Sequence, residues 1–299
     1  MSFVRTLQSG QRCEIHVLNV ETGEDRVVYT NHETLFEAPN WTKSGALIVN
    51  GGGKLWSLSV SGGMPELISI DGIPDVNNDH VLAPDHESVF ISTNDDWQIY
   101  HAPIGGGAAK RVTPNSPHVM HFLHGVNSQA KQLAYVQIHQ SQQGIFSNGK
   151  VHLLDLETGL DQVLLGGDAP EDGPEYSADG EWLYLNTEHF DGGVSGTPGH
   201  AQIAKARIDG SELTQLTFDE NVNWFPHLSP NGERWAYISF PPGTIGHPAD
   251  LPVSIKVVES EAWSNARTVA NLFGGQGTIN VNSWSPDSRS LAYVSYPIG

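Results

Sequence analysis

The chain has 299 residues, with 34 acidic against 15 basic side chains and a formal charge of −19. That balance excludes a surface built for nucleic acid or anionic membrane, since both need clustered Lys and Arg. The lone Cys13 excludes an internal disulfide framework, and no apolar run approaches the ~20 residues that span a bilayer.

Read from the N-terminus, Met1-Ser2-Phe3-Val4-Arg5 shows no long apolar leader, so a cytoplasmic protein is expected. The first regular element is an isolated hairpin, with strands Glu14 to Leu18 and Arg26 to Tyr29 joined at Glu21-Thr22-Gly23-Glu24. Beyond it, an apolar or aromatic residue followed by a Ser-Pro-Asp-Gly-like turn recurs six times. The copies begin at Trp41, Leu82, Val126, Tyr176, Leu228 and Trp284, at intervals of 41, 44, 50, 52 and 56 residues. Such spacing is that of propeller blades, each of four strands.

Each turn leads into an apolar strand, such as Ala46 to Val49, Leu133 to Val136 or Trp235 to Ile238. A third strand of alternating character follows, as in Lys54 to Leu58 and Ile203 to Ala206. Gly-rich hairpins such as Ser61-Gly62-Gly63 and Asp209-Gly210-Ser211 lead to a fourth strand. The glycine triplets at 51–53 and 105–107 read as turns, because no helix start follows them to make a phosphate loop. The sixth copy has only two strands before the chain ends, and the N-terminal hairpin is what that blade lacks. The expected fold is a single all-β domain, 1–299, forming a six-bladed β-propeller. Its last blade is closed by the N-terminal hairpin and the C-terminal strands, which removes two exposed sheet edges.

Three phrases carry a resemblance. Trp284-Ser285-Pro286-Asp287-Ser288, Leu291-Ala292-Tyr293-Val294-Ser295 and Gly62-Gly63-Met64-Pro65-Glu66-Leu67 are similar to the repeats of TolB-like β-propellers. The resemblance covers nearly the whole chain. It implies the fold directly, and it implies functions that range from protein docking to carbohydrate chemistry.

Strand alternation puts the Ser-Pro-Asp-Gly-like turns and Gly-rich hairpins on one face and the remaining connections on the other. The extra residues are spent on the second face, in insertions at 139–149, 188–201 and 241–252. Of the 14 histidines, ten map to that face or to the start of an inner strand, which points to it as the binding face.

Aligned inner strands line the channel and offer candidate ligand-binding residues: His80, His124, Asp172, Glu175, Trp224, His227 and Asn280. Imidazoles, carboxylates and amides at a channel mouth suit a small molecule or an oligosaccharide, with Trp224 as a stacking platform. They also suit a divalent metal ion, for which His189, His227, His247 and Gln276 are the candidate ligands. There is no Gly-x-Ser-x-Gly elbow for a hydrolase serine.

Two functions follow. One is a recognition propeller for a ligand or protein partner. The other is a carbohydrate-active enzyme, a metal-assisted lyase or hydrolase. Oligogalacturonate lyases are similar in their repeats and hold a metal with His and Gln, and such an enzyme would draw its base from His80, His124 or a lysine. No catalytic residue is assigned, and nucleic acid and membrane are not expected partners.

Overall fold

The computed structural model describes residues 4–114, 116, 118–190 and 199–299. Among the described residues six sheets of three or four strands form the blades around one channel, and a two-stranded parallel ribbon, Ile70–Asp71 with Gly107–Ala108, links blades one and two. Blade one comprises Phe36–Trp41, Ala46–Gly51, Lys54–Ser59 and Glu66–Ile68. Blade two comprises Val76–Leu82, Ser88–Thr93, Ile99–Pro103 and Lys110–Arg111. Blade three comprises Val119–Val126, Gln132–His139, Lys150–Asp155 and Asp161–Val163. Blade four comprises Glu171–Tyr176, Trp182–Thr187, Gln202–Arg207 and Thr214–Gln215. Blade five comprises Val222–Leu228, Arg234–Phe240, Ala249–Glu259 and Arg267–Gly275.

Blade six is assembled from both ends of the chain. Cys13–Asn19 pairs antiparallel with Ser290–Ser295, from Glu14 opposite Ser295 to Asn19 opposite Ser290. Asp25–Asn31 forms its outer edge. The inner strand of this blade is irregular. The Ala292 and Val294 amides still donate to the Ser283 and Thr278 carbonyls, at 2.9 and 3.2 Å. The expected closure is therefore present in register.

Among the described residues six apolar clusters fill the six interfaces between adjacent blades. The seam between blades six and one holds Cys13, Ile15, Phe36, Val294 and Tyr296. Burial pushes the Cys13 thiol up to about 12, so it packs as a small apolar side chain. Polar side chains also stitch blade to blade. Asn40 Oδ1 accepts from the Leu82 amide at 2.8 Å, Ser92 Oγ from Leu123 at 2.9 Å and Asn186 Oδ1 from Phe225 at 3.1 Å.

Five inner strands carry a bulge that simple alternation does not show. Register shifts lie between Glu37 and Asn40, Val76 and His80, Leu123 and Gly125, Asp172 and Glu175, and Trp224 and His227. In three of them a residue at positive φ precedes a proline: Ala38 (53°), Gly173 (59°) and Phe225 (56°). Proline has no amide hydrogen for the ladder, so the strand bends there and re-aims its side chains.

The loops also differ in one respect from expectation. Blade five's insertion is shorter than 241–252, because Ala249–Glu259 pairs with Arg267–Gly275 as a long outer ribbon. Residues 191–198 of the blade-four insertion lie outside the described residues. No helix among the described residues is long and apolar enough to cross a membrane.

Deleting residues 1–30 removes two strands of blade six and uncovers the edge of Ser290–Ser295 and one face of the Phe36 cluster. The truncated protein should aggregate or melt without cooperativity. A monomeric product with the parent melting temperature, measured by calorimetry and light scattering, would contradict the closure.

Candidate functional site

Ring closure brings the loop-side ends of the inner strands together around a cavity of about 350 Å³. Every blade contributes: Glu37 and Asn50, Asp79 and Trp97, Phe122 and His124, Asp172, Phe225 and His247, and Asn280. Gly52, Trp97 and His247 belong to connections between second and third strands, so this is the loop-rich mouth. Leu35, Val76, Val136 and Ile138 complete an apolar wall.

Among the described residues three carboxyl groups face this space, and two have cations. Glu37 Oε1 receives Arg5 Nη1 at 2.6 Å, while Asn50 Nδ2 donates to Oε2 at 3.0 Å. The same Arg5 nitrogen donates to the Gln276 carbonyl at 2.6 Å, tying the N-terminal segment across the seam. Gly277, at φ 87°, passes so close that a Cβ would lie 2.5 Å from Glu37 Oε1; only glycine fits.

Asp172 Oδ1 lies 3.0 Å from His124 Nε2, and Asp172 Oδ2 lies 3.6 Å from His247 Nε2. Burial opposes ionisation of Asp172, but its contacts with His124 and then His247 outweigh that and hold its carboxyl well below the usual range. Burial likewise opposes protonation of His124, and Asp172 and Asp79 reverse this and raise it. His247 Nδ1 meets Gln276 Oε1, and its ring is braced by Trp224 and Phe225 at centroid distances of 4.5 and 5.1 Å.

The third carboxyl, Asp79, is 4% exposed and makes no side-chain hydrogen bond or ion pair among the described residues. Burial pushes it up to about 6, partly countered by His124 and reinforced by Asp172.

Of the residues singled out in the sequence, His124, Asp172, Asn280, His247 and Gln276 meet at this mouth. The others are placed elsewhere. Glu175 lines a second opening of about 230 Å³ at the opposite end of the channel, beside Asn40, Asn282 and Trp284. It is the bulge between Asp172 and Glu175 that parts these two carboxylates. His227 is buried between blades, with Nδ1 2.8 Å from Glu175 Oε2 and Nε2 donating to the Ile279 carbonyl at 2.7 Å. His80 is fully buried with neither ring nitrogen partnered, and burial lowers it to about 3, so it is a neutral packed imidazole at neutral pH. Trp224 backs His247 and does not line the cavity. His189 pairs with Glu171 at 3.2 Å, between blades three and four.

The expected convergence of His80, His227, Glu175 and Trp224 with the others at one mouth is thus corrected by the bulges. The four candidate metal ligands likewise divide: His247 and Gln276 adjoin, while His189 and His227 are engaged at separate interfaces. Among the described residues no group of three or more His, Cys, Asp or Glu is arranged to hold a metal ion.

Arg5, Glu37, Asn50, Asp79 and Trp97 are site residues that the sequence reading did not select. One signal was there, since Asn77-Asn78-Asp79-His80 stands out from the repeats. The aligned rows favoured His80, and the irregular strand presents Asp79 instead.

No family model matches the chain. An uncharacterized protein of Agrobacterium fabrum is 35% identical over 290 residues, covering 95% of this chain and 92% of that protein. A solved TolB-like protein of Agrobacterium tumefaciens superposes with a TM-score of 0.84 at 34% identity, over 96% of this chain and 99% of that one. The chain belongs to the TolB-like β-propeller family. TolB of Acinetobacter baumannii shares the fold, with a TM-score of 0.59 at 16% identity over 89% of this chain and 64% of its own. In this TolB-like propeller all six blades reach the same channel mouth.

Two substitutions separate ties from site residues. His227→Ala should cost about 1–3 kcal/mol, because it strips buried partners from Glu175 and the Ile279 carbonyl. An unchanged melting temperature would contradict that role. Asp172→Asn should cost about 3 kcal/mol at pH 5, the scale for breaking a buried pair. Asp172 is depressed, so its share is present above the unfolded value of ~3.9 and is lost as pH falls through the folded one. His124 is raised, so its share is full below the unfolded value of ~6.5 and is lost as pH rises through the folded one. Urea unfolding should therefore show a smaller penalty for Asp172→Asn at pH 9 than at pH 5; equal penalties would contradict the pair.

Proposed function

We propose that this protein is a recognition propeller that binds its ligand in the cavity at the loop-rich mouth of the central channel. The ligand is a small molecule or a projecting side chain of a protein partner. One observation carries the reading: a preformed cavity of about 350 Å³ whose polar groups come from all six blades. Apolar walls with a few convergent polar groups are the usual composition of small-ligand sites.

The surrounding ring is rigid, so binding does not have to order the site first. The walls Leu35, Val76, Phe122 and Phe225 supply apolar contact, and Asn78, Asn280 and Gln276 supply amides for orientation. Membership of the TolB-like β-propeller family is consistent with this reading. A saccharide falls within the same ligand class, and no reaction step is assigned to any residue.

A thermal-shift screen of small polar compounds tests the location. Gln276 is half-buried and its Oε1 meets His247 Nδ1, so Gln276→Leu should cost about 1 kcal/mol and leave the protein folded. Compounds that stabilise the parent should bind this variant at least about tenfold more weakly, a loss of about 1.4 kcal/mol. Equal affinity, or a crystal position beside Asn40 and Trp284, would overturn the proposal.

A further inference from the structure

We propose that the group recognised in this cavity is an organic cation, a primary ammonium or a guanidinium, seated on the carboxylate of Asp79. This inference rests on the recognition reading and names the ligand class of the same site.

Charge balance is the first ground. Glu37 has Arg5 at 2.6 Å, and Asp172 has His124 at 3.0 Å with His247 beyond it at 3.6 Å. Asp79 has neither an ion pair nor a hydrogen bond from any described side chain, yet it is 4% exposed and lines the cavity. An ionised carboxylate with little access to water is costly unless a counter-charge arrives. A ligand cation supplies one.

Donor and acceptor character is the second ground. Asn50, also a lining residue, keeps its Oδ1 buried and without a donor, while its Nδ2 is spent on Glu37. The Asn77 Oδ1 is already used by the Asp79 amide at 2.9 Å. Asn50 Oδ1 is thus an acceptor in the lining that a ligand N–H can satisfy, and His124 Nδ1 is the other buried lining atom without a partner among the described residues.

An aromatic wall is the third ground. Trp97 and Phe122 line the same cavity with ring centroids 5.7 Å apart, and aromatic rings attract ammonium and guanidinium groups. Arg5, His124 and His247 also line the cavity, but each already faces a carboxylate, Glu37 or Asp172.

The charged groups that act on Asp79 are His124, Asp172, His247 and Glu37. With Asp79 near 6, it is mostly neutral at pH 5 and mostly ionised at pH 7. Cation affinity should therefore rise about tenfold between those values, following the ionised fraction.

Calorimetric titration of the full chain with agmatine, which carries both groups, tests the proposal. Its neutral counterpart is 1,4-butanediol and its anionic one is glutarate. A capped pentapeptide with a central lysine represents a partner's side chain. Agmatine or the peptide should bind, and the tighter of the two identifies a free amine or a partner residue as the source. Asp79→Asn should fold with a similar melting temperature and weaken cation binding at least tenfold, while Asp79→Glu should restore part of it. Cation affinity that is unchanged in Asp79→Asn would overturn the proposal, since it would place the cation elsewhere on the acidic surface. Butanediol or glutarate binding as well as agmatine would also overturn it. If such a ligand loses affinity in Gln276→Leu, the cavity remains the recognition site and only the cation assignment falls.

Discussion

Everything at the channel mouth depends on the antiparallel pairing of Cys13–Asn19 with Ser290–Ser295. Without it, blade six has no middle and the ring has a gap. The pairing satisfies the backbone of both chain ends, and it seats Ile15 and Cys13 against Phe36. Bonds across the same seam then position the site. The Ala38 amide donates to the Gly277 carbonyl at 2.7 Å, and the Tyr296 hydroxyl to the Phe36 carbonyl at 2.9 Å. Arg5 joins Glu37 to Gln276 on top of that framework. Residues more than 230 positions apart become neighbours because a closed ring leaves them no other place.

The bulges act at the next level. An unbroken strand would direct alternate side chains along the whole channel in one regular series. The Ala38-Pro39, Gly173-Pro174 and Phe225-Pro226 pairs interrupt that series at one level of the ring. Above the break stand Glu37, Asp172 and Asn280, around a cavity. Below it stand Asn40, Glu175 and Asn282, mostly engaged in ties between blades. His124, at the level of the break, lines both openings. The two ends of the channel are thus chemically distinct although every blade repeats the same plan.

Buried charge is then managed by pairing. In a poorly solvated channel, interactions between charges are stronger than in water, and so is the cost of leaving one alone. Arg5 with Glu37, His124 with Asp172, and His189 and Lys150 with Glu171 all obey that rule. The carboxyl of Asp79 stands apart from it, because His124 and His247 act on it without an ion pair and are placed against Asp172. It is there that the proposed ligand cation would supply the missing partner.

The repeat was legible in the sequence because each blade must solve the same local problem. A tight turn after an apolar residue and an alternating third strand recur wherever a strand meets its neighbour. That periodicity determined the six blades, the all-β class and the closure by the N-terminal hairpin. It also determined the loop-rich face, since inserted residues can only leave a strand at its ends. Part of the cavity lining was legible too: His124, Asp172 and Asn280 from their rows, and His247 and Gln276 from flanking connections. What only the tertiary structure decided was the direction of side chains past each bulge. Two extra residues between Val76 and His80 leave His80 in the packing and Asp79 at the cavity, and one extra residue between Asp172 and Glu175 sends Glu175 to the far opening. Arg5 could not be placed from its own neighbourhood, because its partners Glu37 and Gln276 lie 32 and 271 positions away. Local propensity fixes strands and turns, whereas pairing across a closed ring fixes which side chains face one another.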